Sequence, residues 1–166
     1  MSIGVHDVIV RTATENDLRI ILDFIHGLAE YERMADECVA TEAKLRQTLF
    51  TEPAAAEVLI ASIADKPVGF ALFFHNYSTF LAQRGIYLED LFVIPEARKK
   101  GVGRMLLASL ARIAVERGCS RLEWAVLNWN ELAIGFYKSI GAVPMDEWTT
   151  FRMTAAPLEA LAAQAP

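Results

Sequence analysis

The amino-acid sequence predicts an α/β fold in which one mixed sheet carries helices on its faces. Short runs rich in β-branched and aromatic residues, such as 58–64 and 68–74, alternate with longer segments whose apolar residues recur at helical spacing. Some strand runs follow each other directly, which favours antiparallel pairing, and others are separated by a helical segment, which favours parallel pairing. We therefore expect both kinds of neighbour in one sheet. No linker or internal repeat interrupts the 166 residues, so we expect a single domain over 1–166.

The N-terminal part is predicted to hold one strand and two helices. Residues 8–10 form a short β-rich run, and Thr14, followed three residues later by an aspartate, is typical of a helix start. An apolar stripe at helical spacing extends that helix to about Arg33. A second, shorter helix begins after Thr41 and ends near Pro53, because proline disfavours helical backbone in the residue before it.

The remaining elements are predicted from the same two periodicities. The runs 58–64 and 68–74 form an antiparallel hairpin across the short polar connection 65–67. The elements expected after it are a strand over 86–93, a helix over 101–117 capped by Gly118, a strand over 122–127, a helix over 131–140, a terminal hairpin of 142–145 and 149–153, and a loosely held helix or frayed tail over 155–166.

Composition and charge argue against several classes of protein. Hydrophobic residues make up 54% of the chain and charged residues 22%, which excludes a disordered protein. The formal net charge of −5 argues against a nucleic-acid or membrane binder, since both partners attract an excess of Lys and Arg. The first residues lack the pattern of a secretory signal and no run of about 18 apolar residues occurs, so we expect a cytoplasmic protein.

Neither a disulfide framework nor a metal site is indicated by the sequence. Cys38 and Cys119 are far apart in the chain, and two cysteines are too few for such a framework. His6, His26 and His75 lack the spacing of metal ligands. We therefore expect free thiols in a reducing compartment and no bound metal.

The strongest chemical signal is a basic, glycine-bearing loop between a strand and a long helix. The first N–H groups of a helix have no partner within the helix and lie at its positive end, and glycines let an anion approach the backbone closely. This pattern favours a phosphate site, although a solvated basic helix start would look the same. The dinucleotide pattern is incomplete because Leu106 replaces its third glycine, and no Gly-Lys-Ser/Thr is present. The loop consists of Arg98, Lys99, Lys100, Gly101, Val102, Gly103 and Arg104.

The loop resembles the acetyl-CoA loop of the GCN5-related N-acetyltransferases, which has the pattern Arg/Gln-x-x-Gly-x-Gly/Ala. Further segments are similar to the spermidine/spermine (diamine) N-acetyltransferase subfamily, so that the resemblance spans about residues 8–153. It implies a central mixed, mostly antiparallel sheet flanked by about four helices. The segments that carry it are 28–32 (LAEYE), 87–93 (YLEDLFV), 129–131 (WNE), 135–138 (GFYK) and 141–142 (GA).

The resemblance implies acetyl-CoA as cosubstrate and assigns residues to it. The strand before the loop is expected to splay from its neighbour, often with a bulge, and to pair its free backbone groups with the pantetheine arm. That role falls to Leu91, Phe92 and Val93, while the loop amides and the charge of Arg98 hold the pyrophosphate. Asn130 is expected both to cap the last helix and to face the cofactor.

The resemblance also assigns catalytic and substrate-side roles. Tyr137 matches the tyrosine that protonates the departing thiolate, and Glu89 matches the position that handles the amine directly or through water. Asp90 is either a second substrate-binding carboxylate or structural. Tyr31 and Glu32 match substrate-side positions within an acidic segment, 30–42, that forms a cation-attracting wall or merely a solvated helix end.

The expected reaction is direct transfer of an acetyl group to a primary amine of a small polyamine, diamine or lysine-like amino acid. The family is usually homodimeric, so a homodimer is expected. Two alternatives stay open: a non-catalytic acyl-CoA-binding regulatory module, and an acetyltransferase for protein N-termini or lysine side chains.

Overall fold

The computed structural model describes residues 7–166, and these form two compact units, each described by itself. The first unit ends at Ala125 and the second spans Val126–Pro166. The strands are β1 (Val8–Thr12), β2 (Glu57–Ile63), β3 (Lys66–Ser78), β4 (Gln83–Val93) and β5 (Leu122–Trp124). The α-helices are α1 (Leu18–Tyr31), α2 (Glu42–Leu49), α3 (Val102–Glu116), α4 (Glu131–Ser139) and α5 (Ala155–Ala162), and short 3-10 turns span Glu15–Asp17, Ala35–Glu37 and Pro95–Ala97.

The first unit contains the whole described sheet, whose strands lie in the order β1-β2-β3-β4-β5. The first three pairings are antiparallel, and β5 runs parallel to β4. A right-handed crossover is the usual way to join parallel strands, and α3 lies in that connection. The predicted mixed, mostly antiparallel sheet with flanking helices is therefore confirmed.

The two faces of the sheet carry different helices. On one face, Ile60, Phe70 and Phe92 pack with Ile21 and Phe24 of α1, and the rings of Phe24 and Phe70 stack with centroids 5.6 Å apart. Side chains alternate between the two faces along a strand, so the residues next to Ile60, Phe70 and Phe92 in their strands point to the opposite face. Helix α3 packs against that face. The apolar stripe of α3 is buried there, with Val102, Leu106, Leu107, Leu110 and Ala114 inward.

Local capping explains where the helices begin and end. Asp17 receives two hydrogen bonds from the guanidinium of Arg11, at 2.7 and 2.8 Å, and one from the backbone N–H of Thr14 at 2.7 Å. Thr41 accepts the Lys44 N–H at 3.2 Å and so caps α2. Gly118 follows α3 with a φ of +65°, the left-handed conformation expected of a glycine at this position.

Two predictions for the C-terminal part were wrong. The strand expected over 122–127 is confined to β5, which pairs with only Ile86–Leu88 of β4. The hairpin expected from 142–145 and 149–153 is absent, and these described residues form loops and turns. Their apolar side chains are exposed, Val143 by 78% and Phe151 by 92%. The alternating apolar residues of these runs therefore have no buried sheet face to occupy. The expected tail helix is present as α5.

No helix in the described range 7–166 is both long enough and apolar enough to cross a membrane.

Candidate active site

A β-bulge at Glu89 shapes the end of β4. Leu72 of β3 pairs with Asp90, but the next residue, Phe73, pairs with Leu88, so Glu89 is an extra residue in β4. A bulge bends the strand and changes which edge each backbone group faces. It lies at the point where the pairing with β5 ends, at Leu88 opposite Trp124.

The bulge turns new backbone groups toward the β5 side of β4. Before it, the N–H of Ile86 donates to the carbonyl of Arg121 at 3.0 Å, whereas after it the N–H of Ile94 donates to Val68 of β3 at 2.9 Å. Backbone groups alternate between edges, so Leu91 and Val93 direct theirs away from β3. Within the part of the chain that the structure describes, no strand pairs with that edge beyond Leu88. This stretch of β4 is able to accept an extended ligand as a further strand.

Three carboxylates lie near the bulge. Burial and the negative charges of Glu89 and Glu32 raise the pKa of Asp90 to about 6. Burial also raises the pKa of Glu32. Asp90 pairs with Leu72, whose side chain packs on the α1 face, while Glu89 is exposed. The structure thus brings together the three acidic residues that the sequence assigned to the amine side.

The loop after β4 turns sharply into α3 and leaves part of its backbone accessible. Lys99 and Gly101 both have left-handed φ angles, 62° and 83°, which turn the chain into α3. A Cβ atom built on Gly103 would meet nothing within 4 Å, so the space above its backbone is open. Val102 is 1% exposed and anchors the loop in the core, which leaves only its backbone for binding. Lys99 and Arg104 are exposed and Lys100 is half-buried.

Arg98 connects this loop with the end of α1, a contact that the sequence did not predict. Its Nε donates to the carbonyl of Val93 at 3.0 Å, and its Cζ lies 4.6 Å from the centroid of the Tyr31 ring. The same Cζ lies 5.9 Å from the Phe92 ring. An arginine in a basic loop and a tyrosine at a helix end carry no signal in the sequence that pairs them.

The remaining two predicted site residues belong to the second unit. The side-chain oxygen of Asn130 accepts the N–H of Ala133 at 3.3 Å, so the expected cap of α4 is confirmed. Tyr137 lies in α4, with its ring centroid 5.6 Å from that of Phe136. The roles of Asn130 and Tyr137 toward acetyl-CoA stay predictions.

The described residues hold no group of three or more His, Cys, Asp or Glu side chains arranged to bind a metal ion.

Comparison with known proteins decides the family. The sequence model of the acetyltransferase (GNAT) family matches residues 24–142. The chain belongs to this family. It is an N-acetyltransferase, and GNAT enzymes use acetyl-CoA as the acetyl donor, as the resemblance in the sequence implied.

Relatives of this GNAT enzyme match over nearly their whole length. Thialysine N-epsilon-acetyltransferase from Bos taurus is 38% identical, covering 93% of this chain and 97% of the relative. L-ornithine N5-acetyltransferase from Arabidopsis thaliana is 33% identical, covering 92% and 86%. Among solved structures, an integron cassette protein from the mobile metagenome of V. cholerae matches with a TM-score of 0.79 and 32% identity, covering 94% of this chain and 98% of that one.

Proposed function

We propose that this GNAT enzyme transfers the acetyl group of acetyl-CoA to a primary amine of a small polyamine, diamine or lysine-like amino acid, by direct attack within a ternary complex. The observation that carries the proposal is the bulge at Glu89, because it joins an open strand edge to a group of carboxylates. The relatives named for acetylation of thialysine and ornithine support an acceptor of this kind.

The acetyl-CoA side of the proposal rests on β4 and the loop after it. The backbone groups of Leu91 and Val93, with Phe92 between them, pair with the pantetheine arm. The backbone from Lys99 to Arg104 receives the pyrophosphate, supported by the open space above Gly103 and by the basic side chains of the loop. Asn130 adds a contact from the start of α4.

The amine side rests on the carboxylates. A small cationic amine is attracted by Glu32 and Asp90, and Tyr31 forms part of the same wall. Transfer requires a neutral amine, so Glu89 accepts a proton from the ammonium group, directly or through water. Asp90 has a pKa of about 6 because of its burial and its acidic neighbours, and a bound ammonium group lowers that pKa by supplying the missing counter-charge.

The transfer step then needs one acid and one set of backbone donors. The amine nitrogen forms a C–N bond with the thioester carbonyl carbon, and the backbone N–H groups of β4 stabilise the oxyanion that develops. As the C–S bond breaks, Tyr137 donates its phenolic proton to the departing sulfur, and the newly bonded nitrogen releases its extra proton, which restores the phenol. The products are the N-acetylated amine and CoA.

We further propose a single N-acetyltransferase domain over residues 1–166, which acts as a cytoplasmic homodimer without bound metal and without nucleic-acid or membrane partners. The span of the family match, 24–142, includes parts of both units and supports one domain. The acidic balance of the chain disfavours polyanionic partners.

The test is thiol release from acetyl-CoA with spermidine, putrescine, ornithine, lysine and thialysine, with the acetylated product identified by mass. Tyr137→Phe and Glu89→Gln are expected to lower kcat by about 10²- to 10⁴-fold. The exposed Tyr77→Phe and Glu116→Gln, which make the same chemical changes elsewhere, are expected to keep the activity. Tight binding of acetyl-CoA with no turnover of any of these amines would contradict the proposed acceptor class.

A further inference from the structure

Arg98 lies between the strand edge proposed for acetyl-CoA and the end of α1. Its guanidinium makes two contacts at once: Nε donates to the Val93 carbonyl at 3.0 Å, and the planar group lies over the Tyr31 ring at 4.6 Å. Tyr31 is the last residue of α1, and Glu32 follows it directly. One side chain therefore contacts both the backbone that would bind the pantetheine arm and the aromatic ring beside the amine-side carboxylate.

We propose that Arg98 is a positioning residue that couples the two substrate sites, so that binding of acetyl-CoA at β4 and the placement of Tyr31 depend on each other. The assignment of Tyr31 to the amine side rests on the proposed function. The coupling itself rests on the two contacts of Arg98. Coupling is thus a second role for Arg98, in addition to the attraction of phosphate by its positive charge.

The chemistry of the guanidinium suits this role. Arginine is planar and presents its N–H donors in the plane of the group, so it can donate sideways to a carbonyl while its face covers an aromatic ring. The Val93 carbonyl has two lone pairs, so the bond from Arg98 leaves one for a ligand on the open edge. A lysine at this position would keep the charge but not both contacts.

The surroundings hold Arg98 in place from the sheet side. Phe92 is 6% exposed and fixed in the core, and its ring lies below the guanidinium at 5.9 Å. A shift of the Val93 carbonyl is therefore expected to move the guanidinium and, through the 4.6 Å contact, the Tyr31 ring. Coupling of this kind is reciprocal, so loss of the Tyr31 ring must weaken binding at β4 as well.

The reciprocity gives a test that needs no turnover. The dissociation constant of CoA is measured by calorimetry for the wild type, Tyr31→Leu, Arg98→Met and the double variant. We expect Tyr31→Leu to weaken CoA binding about 2- to 5-fold when Arg98 is present, the range of an exposed cation–π contact. In the Arg98→Met background the same substitution is expected to change the affinity by less than about 1.5-fold.

Matched variants separate coupling from charge and from folding. Tyr31→Phe keeps the ring and is expected to keep the coupling to Arg98, whereas Arg98→Lys keeps the charge and is expected to lose the coupling. Tyr77→Leu, at an exposed tyrosine on a distant strand end, controls for a general effect of losing an aromatic ring. Equal effects of Tyr31→Leu in both backgrounds would overturn the proposal, and so would wild-type coupling in Arg98→Lys.

Kinetics with an accepted amine provide the second readout. Arg98→Lys is expected to raise KM for the amine about as much as Tyr31→Leu does, whereas Lys99→Ala is expected to raise only KM for acetyl-CoA. An Arg98→Lys variant that alters only KM for acetyl-CoA would contradict coupling. If CoA binds with the expected coupling but no small amine is acetylated, the proposed acceptor class fails while the coupling stands; a wild type that does not bind CoA would overturn both.

Discussion

Gly27 of α1 lies against Phe92 of β4 so closely that a Cβ atom built on the glycine would be 2.8 Å from Cζ of the ring. Phe92 also contacts Phe24, one turn earlier on α1, with ring centroids 6.2 Å apart. The missing side chain of Gly27 thus lets the last turn of α1 approach the strand. This approach brings Tyr31 and Glu32 near the residues that follow the bulge.

The first prediction concerns this close approach. Gly27→Ala gains about 1 kcal/mol of helix propensity but forces the buried Phe92 ring to move, at a cost of about 1 to 3 kcal/mol. We expect a net loss of about 1 kcal/mol in the free energy of unfolding, measured by urea denaturation. Gly103→Ala is the control because its new methyl group meets nothing within 4 Å. Stabilisation by Gly27→Ala would show that the contact with Phe92 does not restrict the helix.

The second prediction concerns the ion pair before α1. The guanidinium of Arg11, and then the hydrogen bonds from Thr14, lower the pKa of Asp17 to about 2, against an ordinary value near 3.8. The folded state thus favours the carboxylate, so the stabilisation is present above about pH 4 and is lost as the pH falls toward 2. At pH 7 we expect Asp17→Asn to lower the free energy of unfolding by about 2 kcal/mol.

The measurement for Asp17 is urea denaturation of the wild type and the variant between pH 2 and pH 7. The difference between them should shrink through the acid range and nearly vanish at its lower end. Asp23→Asn is the matched control, since Asp23 pairs with Arg19 at the surface of α1 and such pairs contribute less than about 1 kcal/mol. A constant difference at every pH would contradict the role of the carboxylate charge.

Much of the fold follows from local pattern, but its C-terminal part does not. The bounds of α2 and α3 match the predictions within a few residues because caps and apolar stripes are properties of the local sequence. A strand also needs an edge to pair with, which the sequence does not reveal. The runs 125–127, 142–145 and 149–153 have strand-like composition, yet no ladder forms there in the described chain.

The candidate site also combines features that the local sequence predicts with features that it does not. The glycine-bearing loop could be predicted because its motif is contiguous, and Asn130 because a cap is read from its neighbours. The resemblance implied a bulge in this strand, but its position at Glu89 depends on the register between two long strands. The contact between Arg98 and Tyr31 joins residues distant in the sequence. Such features arise from tertiary packing, which periodicity does not encode.

The third prediction concerns Asp90. Burial, followed by the charges of Glu89 and Glu32, raises the pKa of Asp90 to about 6. The folded state therefore binds the proton more tightly than the unfolded chain, and ionisation of Asp90 destabilises the fold as the pH rises from about 4 to above 6. We expect Asp90→Asn to raise the free energy of unfolding at pH 8 by about 1 to 3 kcal/mol, with almost no gain at pH 4.

Stability and activity are expected to change in opposite directions in this variant. Denaturation at pH 8 and pH 4 gives the stability, and kcat/KM for the accepted amine gives the activity. The activity should fall because the carboxylate proposed to attract the amine is lost. Asp23→Asn, at an exposed aspartate of α1 outside the acidic segment 30–42, is the control for the chemical change. Equal stabilisation of Asp90→Asn at both pH values would show that ionisation of Asp90 is not its cause.

The last prediction separates folding from acetyl-CoA binding at Gly103. The open space above this residue means that Gly103→Ala places its methyl group without a clash in the protein, so the free energy of unfolding should stay the same or rise by up to about 1 kcal/mol. The loop pattern accepts alanine at this position, so the single methyl group is also expected to leave the dissociation constant of CoA nearly unchanged. The branched side chain of Gly103→Val, in contrast, fills the space through which a phosphate would reach the backbone of α3. Loss of one hydrogen bond to a charged group weakens binding by about 10-fold or more, so the dissociation constant of CoA should rise by at least that factor in Gly103→Val.

Salt dependence distinguishes this effect from a loss of charge. Lys99→Ala is expected to weaken CoA binding mainly at low salt, because an exposed charge is screened, whereas the effect of Gly103→Val should persist at high salt. Unchanged CoA affinity in Gly103→Val would place the pyrophosphate away from this loop.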